Sequence, residues 1–173
     1  MRRLLSKSLA AGLLLLLLSC GGPKITQTMR TEYVGPPVNT IALPPGGGPL
    51  ADAIGIELFN HGFDIVDPER TNQIIGRAGL SEFQLLTPES YGALRSKGID
   101  ALLIVKAVMA ADGVPESASV RIISTHSGQI IVGLTWQNAW GGRRGSIADR
   151  IMRKNLAEAA AQIAAELARR LRR

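Results

Sequence analysis

Asp100-Ala101-Leu102-Leu103-Ile104-Val105-Lys106-Ala107-Val108-Met109 decides the fold. The run is nearly continuously apolar, the pattern of a central strand covered on both faces. Such a strand needs a layer of structure on each side. Two more strands follow, residues 117–126 and 129–140, flanking Ser127-Gly128 as a two-residue hairpin turn. Along the second of them Ile130, Val132, Leu134, Trp136, Asn138 and Trp140 share one face by alternation. Both tryptophans can cover the sheet beneath a final helix; Trp140, which abuts the loop at 141–145, is the candidate exception.

Upstream, residues 38–43 form a short apolar strand stopped by Pro44-Pro45-Gly46. Residues 50–61 carry a helical stripe of Leu50, Ala53, Ile54, Leu58 and Phe59, with Gly62 as the residue that ends it. Residues 63–66 are a second short strand. Asp67-Pro68 then fits an N-cap with proline at the first helical position, opening a helix to about Arg77. Thr87-Pro88-Glu89 opens another, running to Lys97 and closed by Gly98. Ser146, with Asp149 three residues on, caps a last helix through Arg172. Its stripe is Ile147, Ile151, Met152, Leu156, Ala160, Ile163, Leu167 and Leu171. Arg169, Arg170, Arg172 and Arg173 crowd its C-terminus, where cations offset the helix dipole. The order β-α-β-α-α-β-β-β-α predicts one α/β (α+β) domain over residues 39–173. It has a mixed sheet of about five strands, helices packed on it and a long C-terminal helix.

The beginning of the chain has another character. Arg2, Arg3 and Lys7 precede an apolar run from Leu9 to Leu18, the form of a secretion signal and too short for a spanning helix. Leu17-Leu18-Ser19-Cys20-Gly21 resembles the bacterial lipobox, a leucine and a small residue placed ahead of a cysteine. That resemblance implies a signal peptide over residues 1–19 and a Cys20 whose thiol is acylated, with a fatty acid such as palmitate, to become the mature N-terminus. Gly21 rather than aspartate after the cysteine points to the outer membrane, with the domain facing the periplasm. Residues 20–38 read as the lipidated end and a flexible tether. Eighteen flexible residues would have an r.m.s. span of about 20–25 Å.

Composition narrows the function classes. With 46% hydrophobic and 4% aromatic residues and 19 glycines, the chain reads as globular with small side chains. Cys20 is the sole cysteine, which excludes an internal disulfide and a cysteine metal site. The net charge of +6 includes three basic residues of the signal; the remainder holds 17 basic against 14 acidic groups. Residues 143–173 alone hold nine basic and three acidic groups, so the positive charge sits at the C-terminal end. Export argues against nucleic acid as the partner. Anionic lipid headgroups, acidic wall polymers or another envelope protein fit that basic end.

Gly46-Gly47-Gly48-Pro49-Leu50-Ala51 fits the dinucleotide pattern G-x-G-x-x-A, with Asp64 and Asp67 farther on as ribose-binding acids. Pro44-Pro45 ahead of the glycines and Pro49 within them spoil the tight turn and remove an amide. The loop reads as an ordinary connection, and a dinucleotide-dependent enzyme is the least favoured reading. His61 and His126 are the only histidines and stand in no metal-binding spacing; His126 reads as a solvated turn residue. No nucleophile elbow is present. No cofactor, metal or catalytic residue is expected.

Four stretches, taken in order, resemble the CsgG-like group of bacterial envelope lipoproteins, which includes LpoB-type proteins and relatives of the TolB N-terminal-domain fold. They are Thr40-Ile41-Ala42-Leu43-Pro44-Pro45, Gly62-Phe63-Asp64-Ile65-Val66-Asp67, Gly98-Ile99-Asp100-Ala101-Leu102-Leu103-Ile104-Val105, and Val120-Arg121-Ile122-Ile123 with Ser127-Gly128-Gln129-Ile130. The resemblance implies a non-enzymatic accessory or assembly factor that binds protein in a secretion, surface-organelle or peptidoglycan-synthesis complex. An oligomeric curli-type secretion channel subunit is the alternative, but no spare pair of roughly ten-residue alternating hairpins is available to build a barrel. Trp140, Arg143 and Arg144, in the loop before Ser146, are the candidate partner contacts. The strand edges at residues 38–43 and 63–66 are candidates for pairing with a second copy. Replacing Cys20 with Ser is expected to remove the acyl mass and release the protein from the membrane fraction. Mass spectrometry and sedimentation of envelope fractions check this, and an unchanged distribution discards the anchor.

Overall fold

The computed structural model describes residues 22–30, 33–139 and 145–172. Residues 1–21, with the expected signal and Cys20, lie outside the described residues, as do Trp140, Arg143 and Arg144. The elements are β1 (Lys24–Arg30), β2 (Thr40–Ala42), α1 (Gly48–Asn60), β3 (Asp64–Val66), α2 (Pro68–Arg77), a 3-10 turn (Glu82–Gln84) and α3 (Pro88–Arg95). They continue with β4 (Ala101–Met109), β5 (Pro115–Ser124), β6 (Ile130–Gln137), α4 (Ile147–Met152) and α5 (Leu156–Leu171). One six-stranded open sheet has the order β1-β6-β5-β4-β2-β3. The fold is a single mixed α/β domain, as the sequence predicts.

The sheet has two halves. β2 pairs parallel with both β3 and β4, and the remaining pairings, β4 to β5, β5 to β6 and β6 to β1, are antiparallel. β4 belongs to both. Its Ala101, Leu103 and Val105 pack into the core beneath α1 and α5, while Leu102 and Ile104 face a second cluster with Ile74, Ile75, Leu94 and Ile99. The expectation of burial on both faces holds for Ala101–Val105 and ends there, because Lys106, Ala107, Val108 and Met109 are exposed. The reason is length. Nine strand residues rise roughly 30 Å, whereas the eight residues of α3 cover about 12 Å.

Three expectations need correction. Residues 24–30, read as part of a flexible tether, form β1 and pair antiparallel with β6, from Lys24 opposite Gln137 to Arg30 opposite Val132. This adds a sixth strand to the predicted five. It also supplies β6 with the partner its open edge lacks. The turn between β5 and β6 is longer than two residues: it closes from Ser124 N to Gln129 O and from Gly128 N to Ser124 O, with Gly128 at φ +69°. Thr125 Oγ1 donates to Ile99 O at 2.7 Å and draws that turn down onto the start of β4.

The third correction concerns the last helix, which is two. Arg153 leaves helical geometry at ψ 127°, and Asn155 starts α5 with a reciprocal cap. Asn155 Oδ1 accepts from Glu158 N and Glu158 Oε2 accepts from Asn155 N, both at 2.9 Å. The expected stripe therefore splits. Ala160, Ile163 and Leu167 are buried, whereas Ile147 and Ile151 are 79% and 78% exposed. A stripe also shifts on α1, where Leu50, Ala51, Ile54, Gly55 and Leu58 face inward and Phe59 outward.

The caps at Asp67 and Thr87 stand as predicted, accepting from Arg70 N and Ser90 N. Trp136 is fully buried under α5, and its Nε1 donates to Gln162 Oε1 at 3.0 Å. Trp136→Ala is expected to cost about 3–5 kcal/mol, the range for emptying a large aromatic site. Trp136→Phe should cost less, and urea denaturation distinguishes the two.

Candidate functional site

The loop expected to make contacts, residues 140–144, is described only through its two anchors. On one side Asn138 uses all of its amide. Its Nδ2 donates to Pro115 O and Lys154 O, and its Oδ1 accepts from Ala139 N and Lys154 N, each at 2.8 Å. One side chain thereby joins the start of β5, the end of β6 and the α4–α5 junction. On the other side Gly145 N donates to Asp149 Oδ2 at 3.0 Å, and Ser146 Oγ accepts from Asp149 N at 3.2 Å. Ser146 caps α4 as the sequence predicts, but the returning carboxylate binds Gly145 rather than the cap residue itself.

Between these anchors and the β4–β5 hairpin lies a cleft of about 500 Å³, lined in part by Ala110, Asp112, Val114, Asp149 and Arg153. Arg153 bridges two carboxylates. Its guanidinium is 3.1 Å from Asp112 Oδ2 and 3.6 Å from Asp149 Oδ2. Asp112 also accepts from Val114 N at 3.1 Å. The Arg153 hydrogen bond, with that backbone amide, holds the Asp112 carboxyl below the usual carboxylate range. Asp149 is buried and its Oδ1 has no hydrogen-bond partner. The arrangement offers a clamped charge network and one open acceptor, with no nucleophile beside a base.

The other sequence candidates are scattered. Gly46 and Gly48 adopt φ of +75° and +77°, and Pro49 stands at the start of α1. Asp64 pairs with Thr40 at the N-terminal end of β2, while the glycine loop follows the C-terminal end of that strand. Asp64 thus lies at the opposite end of β2 from the glycines, and Asp67 serves as a helix cap. His126 is exposed in the β5–β6 turn, as expected. Among the described residues no group of three or more histidine, cysteine or acidic side chains could hold a metal ion, and no helix is long and apolar enough to cross a membrane. The Asp112–Arg153–Asp149 network was missed by sequence reasoning, since Asp112 and Arg153 are 41 residues apart. Only Asp112-Gly113, a turn signal, marked its hairpin.

No protein-family model and no curated protein matches the chain. Solved structures do. The dodecameric PelC of Paraburkholderia phytofirmans is 11% identical, with 82% of this chain and 97% of that chain covered at a TM-score of 0.45. Lipoprotein GNA1162 of Neisseria meningitidis is 14% identical, covering 75% and 99% at 0.46. The LpoB C-terminal domain of Salmonella enterica is 19% identical, covering 61% and 87% at 0.43.

Asp112 is expected to titrate below an ordinary aspartate, and Arg153→Ala should move its midpoint upward. The sign follows from the lowered folded-state value. The pairing contributes fully above the unfolded carboxylate value and is lost as pH falls through the lowered one. Side-chain carboxyl NMR titration of the two proteins reads the difference.

Proposed function

We propose that this chain is a lipid-anchored, non-enzymatic accessory protein of a bacterial envelope complex, held at the outer membrane through an acylated Cys20 and facing the periplasm. The carrying observation is the sequence Leu17-Leu18-Ser19-Cys20 behind a basic and apolar leader. Several of the domain's acidic groups hold the fold together, which adds support. Asp67 and Glu158 cap helices, and Asp100 Oδ2 accepts from Asn39 N and Thr40 N to seat β2 beside β4. Glu166 is held by Arg169 and Arg170, which keep its carboxyl below the usual range. Trp140, Arg143 and Arg144, which lie in sequence between Ala139 and Gly145, are the proposed contacts.

In-cell crosslinking with mass spectrometry tests the reading. Crosslinks are expected to converge on one envelope protein and to weaken several-fold in the Arg143→Ala, Arg144→Ala double variant, with the circular dichroism spectrum unchanged. Crosslinks to no envelope protein, or ones indifferent to the double variant, would discard the accessory role or the contact loop respectively.

A further inference from the structure

The strand register fixes which end of the domain lies next to the N-terminus. Lys24 pairs with Gln137, Gln137 with Ser117, and Ser117 with Val108, so these four residues stand abreast at one end of the sheet. The β4–β5 hairpin projects beyond them. Asn138 holds the α4–α5 junction at the same end through Pro115 O and Lys154 O. The opposite end carries the β5–β6 turn, about seven strand steps or roughly 24 Å away.

Because β1 begins at Lys24, only three residues, 21–23, separate the strand from Cys20. The four Cα-to-Cα steps reach at most about 14 Å. An acyl chain on Cys20 therefore holds this end, and no other, against the bilayer. The same end displays what a bilayer surface takes up. Ile147 and Ile151 lie one helical turn apart on α4, more than three-quarters exposed, and Val108 is 56% exposed nearby. In sequence the stretch 143–154, which contains α4, carries the basic residues Arg143, Arg144, Arg150, Arg153 and Lys154 and the single acid Asp149. The acids Asp112 and Glu116 share this end, Asp112 being paired with Arg153. The other basic cluster, at the end of α5, is engaged within the domain. Arg169 and Arg170 bind Glu166, while Arg172 donates to His61 O and lies over the Phe63 ring at 5.6 Å.

We infer that the end formed by α4 and the β4–β5 hairpin docks on an anionic phospholipid surface, with Ile147 and Ile151 entering the headgroup boundary. An apolar pair flanked by basic residues is the composition of an interfacial helix, and juxtamembrane basic residues add attraction to anionic headgroups. This inference rests on the proposed acylation of Cys20. It gives the domain one orientation, with the His126 turn pointing away from the membrane.

The test uses full-length acylated protein, in which the thioether blocks Cys20 and an introduced cysteine is the only free thiol. Ala148→Cys on α4 and Ser127→Cys on the far turn are each labelled with an environment-sensitive fluorophore. Both proteins are placed on vesicles of phosphatidylethanolamine and phosphatidylglycerol. The Ala148 label is expected to shift to the blue and to be quenched by spin-labelled lipid several-fold more than the Ser127 label. Adding Ile147→Ser and Ile151→Ser, or omitting phosphatidylglycerol, should reduce that difference while the protein stays vesicle-bound. Equal quenching of the two labels in protein carrying the acyl mass overturns the docking face alone. A missing acyl mass overturns the anchor and the orientation together. A blue-shifted Ala148 label before vesicles are added overturns the lipid assignment in favour of a second copy covering α4.

Discussion

The first five residues of β4 are apolar on both faces, and most of the architecture follows from hiding them. Ala101, Leu103 and Val105 need α1 and α5; Leu102 and Ile104 need α2 and α3. Parallel strands β2, beside β4, and β3, beside β2, are stitched on by the helices that make the crossings. At about 25 cal/mol per Å² of apolar area, no polar contact in the domain competes with this burial. The polar links that matter most, such as Asp100 to the amides of Asn39 and Thr40, hold strands in the register that burial demands.

Beyond Ile104 the second layer stops, and the chemistry changes with it. The antiparallel half keeps one covered face and one open face, the ordinary condition of such sheets. Its far end is closed by polar groups instead of a hydrophobic layer. Asn138 spends four hydrogen bonds joining three elements, and Arg153 stands between Asp112 and Asp149. Within this part-buried set Asp149 is the buried member. Removing a partner from it would leave a buried polar group unsatisfied, which is costlier than the bond is favourable. This is also where the N-terminal strand enters, with Lys24 opposite Gln137.

Much of this was legible in residue order. The continuous apolar run at Ala101–Val105, the Asp67-Pro68 and Thr87-Pro88 openings and Trp136 under the last helix are short-range signals, and each is where the sequence places it. The misses share another cause. Lys24–Arg30 looks like a polar tether because its own residues carry no strong period; it becomes a strand because β6 offers an unpaired edge. Ile147 and Ile151 prolong an apolar stripe that Asn155, a stronger local signal in the folded chain, interrupts. The candidate contacts at Trp140, Arg143 and Arg144 were chosen for their chemistry, and the structure places only the anchors on either side of them.

The sequence by itself determined the class of fold and the helix openings. Both depend on neighbours within a few residues, where periodicity and capping act. Only the tertiary structure decided that the presumed tether joins the sheet, that the last helix breaks, and that Arg153 meets Asp112 across 41 residues. Those outcomes depend on strand register and on which edges remain unpaired once the core has closed, and no local stretch of chain carries that information.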